Sequence, residues 1–335
     1  MALVVRPPLA PMLARLEREL PRDGYLYEPK WDGFRCLVFR DGSDVDLRSR
    51  NQRPLARYFP ELVAALRRLP SQRFVLDGEI VVAAGFEALL RRLHPAASRT
   101  ERLSIETPAT YVAFDLIAQG AEDVRAQPFR ERRRLLEDVL RGAELPLRVT
   151  ELTEDERRAE AWLDARNGID GVVAKHPELR YEAGARAMVK VKRERTAECV
   201  VAGFRWLPDR PLPRSLLLGL FDDGHVLHHI GIVSAIPEAR RRALLEHVAP
   251  HVVDLDGHPW EHGFLVAGGS TGKLPGAAGR WTPEMTLDWV PLAPELVCEV
   301  AFDQVDDGRR LRHPARFRRW RPDRDAQSCT LAQLA

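Results

Sequence analysis

The sequence predicts an α+β fold with antiparallel sheets in residues 1–195, followed by a small β-barrel in residues 196–335. In the first part, apolar β-branched segments alternate with amphipathic helical segments. In the second part, short strands follow one another at even spacing, with one helix among them. A chain of 335 residues with 45% hydrophobic content is long enough for two domains with ordinary cores.

Strand and helix signals alternate through the first part. Residues 25–48 predict two strands around a turn at Lys30, and a third strand, "VDLRS", after the Asp41-Gly42 turn. The remaining segments are predicted as helices at 57–70, 128–142 and 155–168, and as strands at 73–83, 109–120, 169–176 and 187–194.

The second part has a different pattern of predicted elements, with short strands and a single helix. Its predicted strands are "ECVVAGFRW", "SLLLGLFDDG", "HVLHHIGIV" and, after a helix at 237–250 and a Gly-rich loop, "ELVCEVAFDQV". About five strands with one intervening helix are typical of a small Greek-key barrel, the OB-fold.

Composition narrows the class of protein. No stretch approaches 18 apolar residues, and the N-terminus has no apolar signal-peptide region, so we expect a cytoplasmic protein without a membrane partner. The four cysteines are scattered without a C-x-x-C pair, which indicates neither a zinc module nor a disulfide framework. The net charge of +2 by itself indicates no polyanionic partner.

The basic residues are strongly biased towards arginine. Of 51 basic residues, five are lysine and the other 46 are arginine. Such a bias leaves lysine mainly where a compact ammonium that can lose its proton is required, because a guanidinium cannot act as a nucleophile. The lysines are Lys30, Lys175, Lys190, Lys192 and Lys273. The alternative is that these five are random survivors.

The segment "VKVK" places two of these lysines on one strand face. Lys190 and Lys192 are two residues apart, so their side chains point the same way. A nucleophilic lysine must be deprotonated although the reference pKa of lysine is about 10.4, and desolvation or nearby cations lower that value. The pair therefore suits an anion between the two ammoniums, unless both simply face water.

Two carboxylates lie in apolar, strand-like segments beside glycine. They are Glu79 in "LDGE" and Asp170 in "IDGVVAK". Buried acids need partners or a metal, and Mg²⁺ is usually bound through one or two carboxylates and substrate phosphates. An Asp-Gly pair taken alone is more often a tight turn.

The motifs "EPKWDGFR", "SRN", "LDGE", "AFDL", "DGVVAK" and "VKVK" occur in the order of the nucleotidyltransferase motifs of ATP-dependent DNA ligases. The C-terminal segment "LRHPARFRRWRPDR" resembles the last motif of that family, carried on its OB-fold domain. The chain most resembles the short bacterial ligases of the C type, which are related to the ligase domain of bacterial end-joining enzymes. The resemblance implies a nucleotidyltransferase domain with ATP-grasp-like antiparallel sheets, followed by the OB-fold.

The resemblance also implies roles for individual residues. Lys30 attacks the α-phosphate of ATP and becomes a lysyl adenylate, while Lys190 and Lys192 neutralise that phosphate. Asp170 and Glu79 bind Mg²⁺ or Mn²⁺. The implied nucleotide-binding residues are Glu28 at the adenine edge, Phe114 on the base, Glu79 at the ribose, Arg35 and Arg50 at phosphate, Lys175, and Arg321 with Asp323 at pyrophosphate.

The DNA-binding residues implied by the resemblance are arginines. Arg50 is expected at the 5′-phosphate of the nick, and Arg280 in a DNA-facing loop. Arg312 and Arg316 lie in residues 309–324, a locally basic segment that suits contacts to phosphates.

The sequence departs from the family pattern at a few places. Asp170 stands where glutamate is usual, and Asp323-Arg324 where Asp-Lys is usual. Met188 or Val189 replaces an aromatic residue that often precedes the lysine pair. The first departure affects metal distance or preference.

The expected function is therefore ATP-dependent sealing of nicks in duplex DNA during repair, by a monomer that works with a primase-polymerase or Ku-like partner. The alternatives are an RNA ligase, a capping-type guanylyltransferase, or a non-catalytic nucleic-acid-binding module. The scattered cysteines disfavour an NAD-dependent ligase, which needs a zinc module.

Two further segments resemble a phosphate-binding loop and a metal site, but each lacks residues that such a site needs. "AGGSTGKL" (267–274) resembles a phosphate-binding loop, but its first glycine is replaced by alanine and leucine follows the lysine. "HVLHH" suggests a metal site, but no acid or cysteine completes the set. We expect a flexible loop and surface histidines.

Overall fold

The structure, a computed structural model, describes residues 3–94, 96–164, 168–264, 289–306 and 309–334. The chain forms two compact units, Met1–Arg193 and Glu194–Ala335. The predicted division at residue 195 into separately functioning domains stays a prediction. Arg280 and the phosphate-loop-like segment 267–274 lie outside the described residues.

In its described residues, the first unit contains two sheets and five α-helices. Its strands are β1 (Ala14–Glu17), β2 (Leu26–Trp31), β3 (Phe34–Asp41), β4 (Asp44–Ser49), β5 (Arg73–Val82), β6 (Ala109–Gln119), β7 (Glu122–Asp123), β8 (Leu147–Val149), β9 (Ile169–Lys175) and β10 (Met188–Val191). Its helices are α1 (Pro60–Arg68), α2 (Phe86–Arg91), α3 (Ala97–Glu106), α4 (Phe129–Val139) and α5 (Glu156–Asp164).

Most neighbouring strands in these sheets are antiparallel, as predicted. The four-stranded sheet has the order β1-β10-β9-β2, and the larger sheet the order β4-β3-β5-β6-β7, with β8 beside β6. The pairs β1–β10 and β6–β8 are parallel. The strands that carry the "EPKWDG", "DGVVAK" and "VKVK" motifs are thus neighbours in one sheet.

Strand β3 shows why the sequence of a strand in the larger sheet is apolar at successive positions. Its Cys36 and Val38 belong to the core that packs on α1 and α4, whereas Leu37 and Phe39 belong to a second core on the opposite face. Because successive side chains point to opposite faces, a strand covered on both sides must be apolar at every position. The larger sheet is therefore buried on both faces at this strand.

The helices differ from the predictions in their ends and number. The predicted helix at 57–70 begins later, with Pro60 in its first turn, where the missing N–H of proline has no intrahelical partner to lose. Helices α2 and α3 were not predicted. Most side chains of α3 are exposed, and its only buried residue is Thr100, so it carries little of the apolar periodicity that identifies a helix.

The second unit is a small barrel. Its elements are β11 (Arg195–Trp206), β12 (Pro213–Phe221), β13 (Leu227–Val233), α6 (Arg241–Val248), β14 (Val290–Pro291), β15 (Val297–Phe302), β16 (Val305–Asp306), β17 (Arg310–Leu311) and β18 (Arg316–Trp320). The order β13-β12-β11-β15-β18 continues through a parallel bridge between Val233 and Ala315, where Ala315 N–H donates to Ile232 O. This is the strand order of an OB-fold, with α6 between the third and fourth main strands.

The expectation of surface histidines is wrong for His229. Its residue exposure is 1%, and its ring packs against Trp260 and Phe264 at centroid distances of 5.4 and 5.1 Å. Burial, with help from Arg310 and Arg205, lowers the pKa of His229 to about 3, so the ring is neutral at pH 7.

Among the described residues, every helix is too short or too polar to cross a bilayer.

Candidate active site

The Asp170-Gly171 pair lies inside strand β9 and is not a tight turn. Gly171 has a φ of +129°, and a Cβ atom there would lie 2.2 Å from Val191 O and 3.3 Å from Lys192 Cα. Glycine is therefore required because only its backbone fits this conformation and this close approach. The approach brings the end of β10 against Asp170.

Asp170 bridges two lysines from the neighbouring strands. Its Oδ2 lies 2.6 Å from Lys30 Nζ and 2.5 Å from Lys192 Nζ. Burial by itself raises the pKa of Asp170, but the two ammoniums outweigh it and hold the pKa below its usual value. In this structure an acid of the protein itself thus lies between Lys30 and Lys192, and an anion between Lys190 and Lys192 stays a prediction.

Lys190 joins this group from strand β10. Burial, followed by the charges of Lys30 and Lys192, lowers the pKa of Lys190, and Arg50 adds to the shift. Arg50 lies in the exposed turn after β4. The structure therefore places Lys30, Lys192 and Arg50 close enough to Lys190 to lower its pKa.

Glu79 lies on β5 of the larger sheet, opposite Arg35 on β3. Burial raises the pKa of Glu79 to about 7, although Arg35 and Lys30 oppose the shift. The influence of Lys30 shows that the two sheets bring Glu79 near the predicted nucleophile.

Arg35 forms a bidentate ion pair with Asp77. The distances from Nε to Oδ1 and from Nη2 to Oδ2 are both 2.6 Å, and the Tyr181 hydroxyl donates to Oδ2 at 2.6 Å. Arg35 Nη2 also donates to Met12 O at 3.1 Å. The phosphate-binding role of Arg35 stays a prediction, and the structure adds a structural role that the sequence did not suggest.

Phe114 presents its ring between two cations. The guanidinium of Arg35 lies 4.4 Å from the ring centroid, and Lys175 Nζ lies 5.1 Å from it. Both distances are within the range of cation–π attraction. Phe114 is partly exposed on β6, so the ring that is expected to stack on the base can still be reached from outside.

Glu28 and Lys175 form a buried pair next to this ring. Lys175 Nζ lies 2.9 Å from Glu28 Oε2 and donates to Phe114 O at 3.0 Å. The exposures of the Lys175 and Glu28 side chains are 1% and 3%. Burial raises the pKa of Glu28, with Lys175 and Arg133 opposing the rise. The pair joins β2 and β9 to β6.

Sequence reasoning missed the residues that support this pair. Arg133 Nη1 lies 3.5 Å from Glu28 Oε1, and Arg132 makes a buried bidentate ion pair with Asp115 at 2.8 and 3.0 Å. Asp77 stands beside glycine in the apolar strand of "LDGE", so the signal that singled out Glu79 and Asp170 applied to it as well. Asp115 lies in the apolar strand of "AFDL" without a neighbouring glycine, so only its place in that strand could have singled it out.

The second unit carries the residues of the last motif. Arg321 donates from Nε and Nη2 to Asp323, at 2.9 and 2.8 Å, and from Nη1 to Glu198. Arg316 lies 3.0 Å from Asp303 Oδ1 and 3.3 Å from Glu194 Oε1. The predicted basic segment is therefore interleaved with acids from neighbouring strands. The DNA-binding roles of Arg312 and Arg316 stay predictions.

The carboxylates near Lys30 have the donor chemistry of a magnesium site. Asp170 and Glu79 offer oxygen ligands, and Mg²⁺ commonly needs only one or two carboxylates when phosphates complete its shell. No group of three or more His, Cys, Asp or Glu side chains suited to a metal occurs in the part of the chain that the structure describes. Such a site would depend on the nucleotide for its remaining ligands.

Comparisons with known proteins identify the family of the chain. The family "ATP dependent DNA ligase domain" matches residues 7–192, and "ATP dependent DNA ligase C terminal region" matches residues 210–324. DNA ligase C of Mycobacterium tuberculosis is 47% identical, covering 100% of this chain and 96% of its own length. DNA ligase C2 of Mycolicibacterium smegmatis is 48% identical, with the same coverage.

A solved Lig E DNA ligase shares the fold at a TM-score of 0.58 and 18% identity, over 92% of this chain and 99% of that one. The predicted fold class and the resemblance to C-type ligases are confirmed. The chain belongs to the family of ATP-dependent DNA ligases.

Proposed function

We propose that this protein seals 5′-phosphate/3′-hydroxyl nicks in duplex DNA through an adenylate on Lys30. The observation that carries the proposal is that Asp170 Oδ2 is shared by Lys30 and Lys192, while Lys190 lies close enough to both lysines for their charges to lower its pKa. This arrangement puts the nucleophile beside two cations that suit a phosphate.

In the first step, the neutral amine of Lys30 attacks the α-phosphorus of ATP. A P–N bond forms, the bond between the α-phosphorus and the bridging oxygen breaks, and pyrophosphate leaves with that electron pair. The proton that the ammonium of Lys30 must lose passes to solvent. Lys190 and Lys192 stabilise the charge that develops on the α-phosphate oxygens.

Other residues position the nucleotide. Glu28 reads the adenine edge and Phe114 stacks on the base, while Lys175 fixes both of them through the contacts described above. Arg35 and Arg50 hold phosphate. Arg321 and Asp323 of the second unit orient the pyrophosphate.

Asp170 and Glu79 would hold Mg²⁺ or Mn²⁺ with the help of nucleotide oxygens. The ion would supply Lewis-acid polarisation of the phosphate. Asp170 Oδ2 is shared by Lys30 and Lys192, so Asp170 also orients the amine of Lys30.

The last two steps act on DNA. An oxygen of the 5′-phosphate at the nick attacks the adenylate, the P–N bond breaks and Lys30 is regenerated. The 3′-hydroxyl then attacks the 5′-phosphorus, and AMP leaves as the phosphodiester forms. Arg50 binds the 5′-phosphate, and Arg280, Arg312 and Arg316 bind backbone phosphates.

The proposed setting is DNA repair in the cytoplasm of a bacterium, near its nucleoid, by a monomer. A primase-polymerase or a Ku-like protein is the proposed class of partner. Pull-down of purified ligase with such a protein, with and without nicked DNA, tests the partnership.

The adduct itself provides the central test. Purified protein incubated with [α-³²P]ATP is expected to carry label, and Lys30→Arg is expected to carry none, because arginine keeps the charge beside Asp170 but is not a nucleophile. A wild-type protein without label, or a Lys30→Arg variant with label, contradicts the proposal. Transfer of label from [α-³²P]GTP in preference to ATP would favour the guanylyltransferase alternative.

A further inference from the structure

The second unit holds a compact group of three arginines and three carboxylates, here called the arginine cluster. Its members are Arg319, Arg321, Arg324, Glu198, Glu299 and Asp323. Arg321 is the centre of the group, because its Nε and Nη2 donate to Asp323 and its Nη1 donates to Glu198. A guanidinium held from two sides in this way has little rotational freedom left.

Two acids of the cluster are forced together by the sheet. Glu198 on β11 is the register partner of Glu299 on β15, so their side chains leave the barrel next to each other. Like charges placed directly opposite each other in an antiparallel pair destabilise it. The strand pairing is compatible with this arrangement only because cations lie against both carboxylates.

Glu198 and Glu299 divide these cations unequally. Glu198 binds Arg321 through Oε1, and its Oε2 lies 2.6 Å from Arg324 Nε. Glu299 Oε2 lies 2.7 Å from Arg319 Nε, whereas its distance from Arg321 Nη1 is longer, at 3.9 Å. Glu198 is thus the acid that contacts both Arg321 and Arg324.

The backbone of Glu198 is fixed as well. Its N–H donates to Gln333 Oε1 at 2.9 Å, and its C=O accepts from Gln333 Nε2 at 3.0 Å. Gln333 lies in the short 3₁₀ helix Leu331–Leu334. The exposure of the Glu198 side chain is 17%, so it is mostly shielded from water. Because both the backbone and the carboxylate of Glu198 are held by hydrogen bonds or ion pairs, the residue is suited to hold its arginine partners in one geometry.

We propose that Glu198 is a positioning residue for self-adenylylation, which acts by fixing the guanidinium groups of Arg321 and Arg324 in the orientation that serves the pyrophosphate group of ATP. This inference rests on the proposed role of Arg321 at the pyrophosphate. It also accounts for the arginine at position 324, because a planar guanidinium can donate to Glu198 through Nε while keeping further N–H groups for an anion.

Two reactions separate positioning from a general structural role. Adenylylation by [α-³²P]ATP requires the orientation of pyrophosphate, whereas sealing of a nick that is already adenylylated does not. For Glu198→Gln we expect adenylylation to slow about tenfold, the size expected when a charge-assisted hydrogen bond to a functional group is lost. We expect sealing of the pre-adenylylated nick to stay within about twofold of wild type.

Glu299→Gln is the matched control, because it removes the same charge from the neighbouring position on the same face. We expect it to change adenylylation by less than about twofold, since Glu299 lies mainly against Arg319. Glu198→Asp, which keeps the charge, is the second variant if Glu198→Gln does not fold, and it should recover part of the rate. The thermal midpoint of each variant monitors folding.

A double mutant tests whether Glu198 acts through Arg321. If it does, Arg321→Ala combined with Glu198→Gln adenylylates no more slowly than Arg321→Ala alone. Equal losses in both reactions, or adenylylation of Glu198→Gln and Glu198→Asp within about twofold of wild type, would overturn the proposal. If Arg321→Ala itself adenylylates normally, the proposed role of Arg321 fails, and that outcome is distinct from a normal Glu198→Gln beside a defective Arg321→Ala.

Discussion

The first unit contains two lysine–carboxylate groups that look alike in distance and differ in surroundings. In one, Asp170 Oδ2 lies 2.6 Å from Lys30 Nζ and 2.5 Å from Lys192 Nζ. In the other, Glu28 Oε2 lies 2.9 Å from Lys175 Nζ. The side chains of Lys30 and Lys192 are each 23% exposed, whereas that of Lys175 is 1% exposed.

This difference in exposure separates ion pairs whose lysine can change partner from ion pairs that stay closed in the folded protein. Breaking the Lys175–Glu28 pair would leave two charges in an apolar environment, which costs several kcal/mol, on the order of 3–5. The ammoniums beside Asp170 can reach water or an incoming phosphate instead. Short distance alone therefore does not identify a catalytic ion pair, and access to other partners does.

The largest expected effect on stability comes from breaking the buried pair. Lys175→Met removes the ammonium and leaves Glu28 buried with only the more distant Arg133, so we expect the free energy of unfolding to fall by about 3–5 kcal/mol. Urea denaturation followed by circular dichroism measures it.

Arg130→Met is the matched control, because Arg130 and Glu178 form an exposed pair at 2.5 Å. An exposed pair contributes about 0–1 kcal/mol, so this variant should unfold almost like wild type. Equal effects of Lys175→Met and Arg130→Met would show that burial does not distinguish the two classes of pair.

Breaking the exchangeable pair should affect activity more than stability. Asp170→Asn leaves Lys30 and Lys192 without their shared anion and removes a proposed metal ligand, so we expect adenylylation to fall about 100-fold. The pKa of Asp170 lies below its usual value, so its contribution to stability is present at neutral pH and is lost as the pH falls through that lowered pKa.

Denaturation of Asp170→Asn and wild type at neutral and acid pH checks this. The difference in the free energy of unfolding should shrink as the acid is protonated. A variant that unfolds far more easily than Lys175→Met would contradict the comparison.

Glu79, which lies near Lys30, allows a test of how burial changes the pH dependence of stability. Its pKa is raised to about 7 by burial, so the folded chain binds a proton on Glu79 between the usual value of 4.5 and pH 7, where the unfolded chain does not. Stability therefore falls as the pH rises through this window, by about 1.4 kcal/mol for each unit of pKa difference.

Glu79→Gln should remove this pH dependence. The free energy of unfolding of the variant at pH 8 should then no longer be lower than its value at pH 5, as it is in wild type. Denaturation curves at both pH values, compared with wild type, measure the change. An unchanged pH dependence would mean that Glu79 titrates at its ordinary value.

The smallest expected effect comes from lengthening Asp170 to the residue usual in the family. Asp170→Glu keeps the charge beside Lys30 and Lys192, so we expect stability within about 1 kcal/mol of wild type. The additional methylene changes the distance to a bound ion, so the ratio of adenylylation rates in Mg²⁺ and Mn²⁺ should shift. Identical ratios in the two proteins would argue against ligation of a metal by this residue.

Much of the site could be predicted because its chemistry is local in sequence. The lysines of "VKVK", the nucleophile in "EPKWDG" and the acids beside glycine all stand out from their neighbours. Helices α2 and α3 were missed because their few buried positions leave weak periodicity. The surface position predicted for His229 was wrong, because strand alternation gives two faces and does not say which one is covered.

The order of the motifs, the α+β and barrel architecture, and the choice of lysine where a nucleophile is needed can all be read from the sequence. Which charges share a partner depends on folding: Asp170 lies between Lys30 and Lys192, Glu28 pairs with Lys175, and Glu198 lies between Arg321 and Arg324. The reason is physical, because strand period fixes the face of a side chain, whereas the energy of a charge depends on neighbours and water that come together only when distant strands pair.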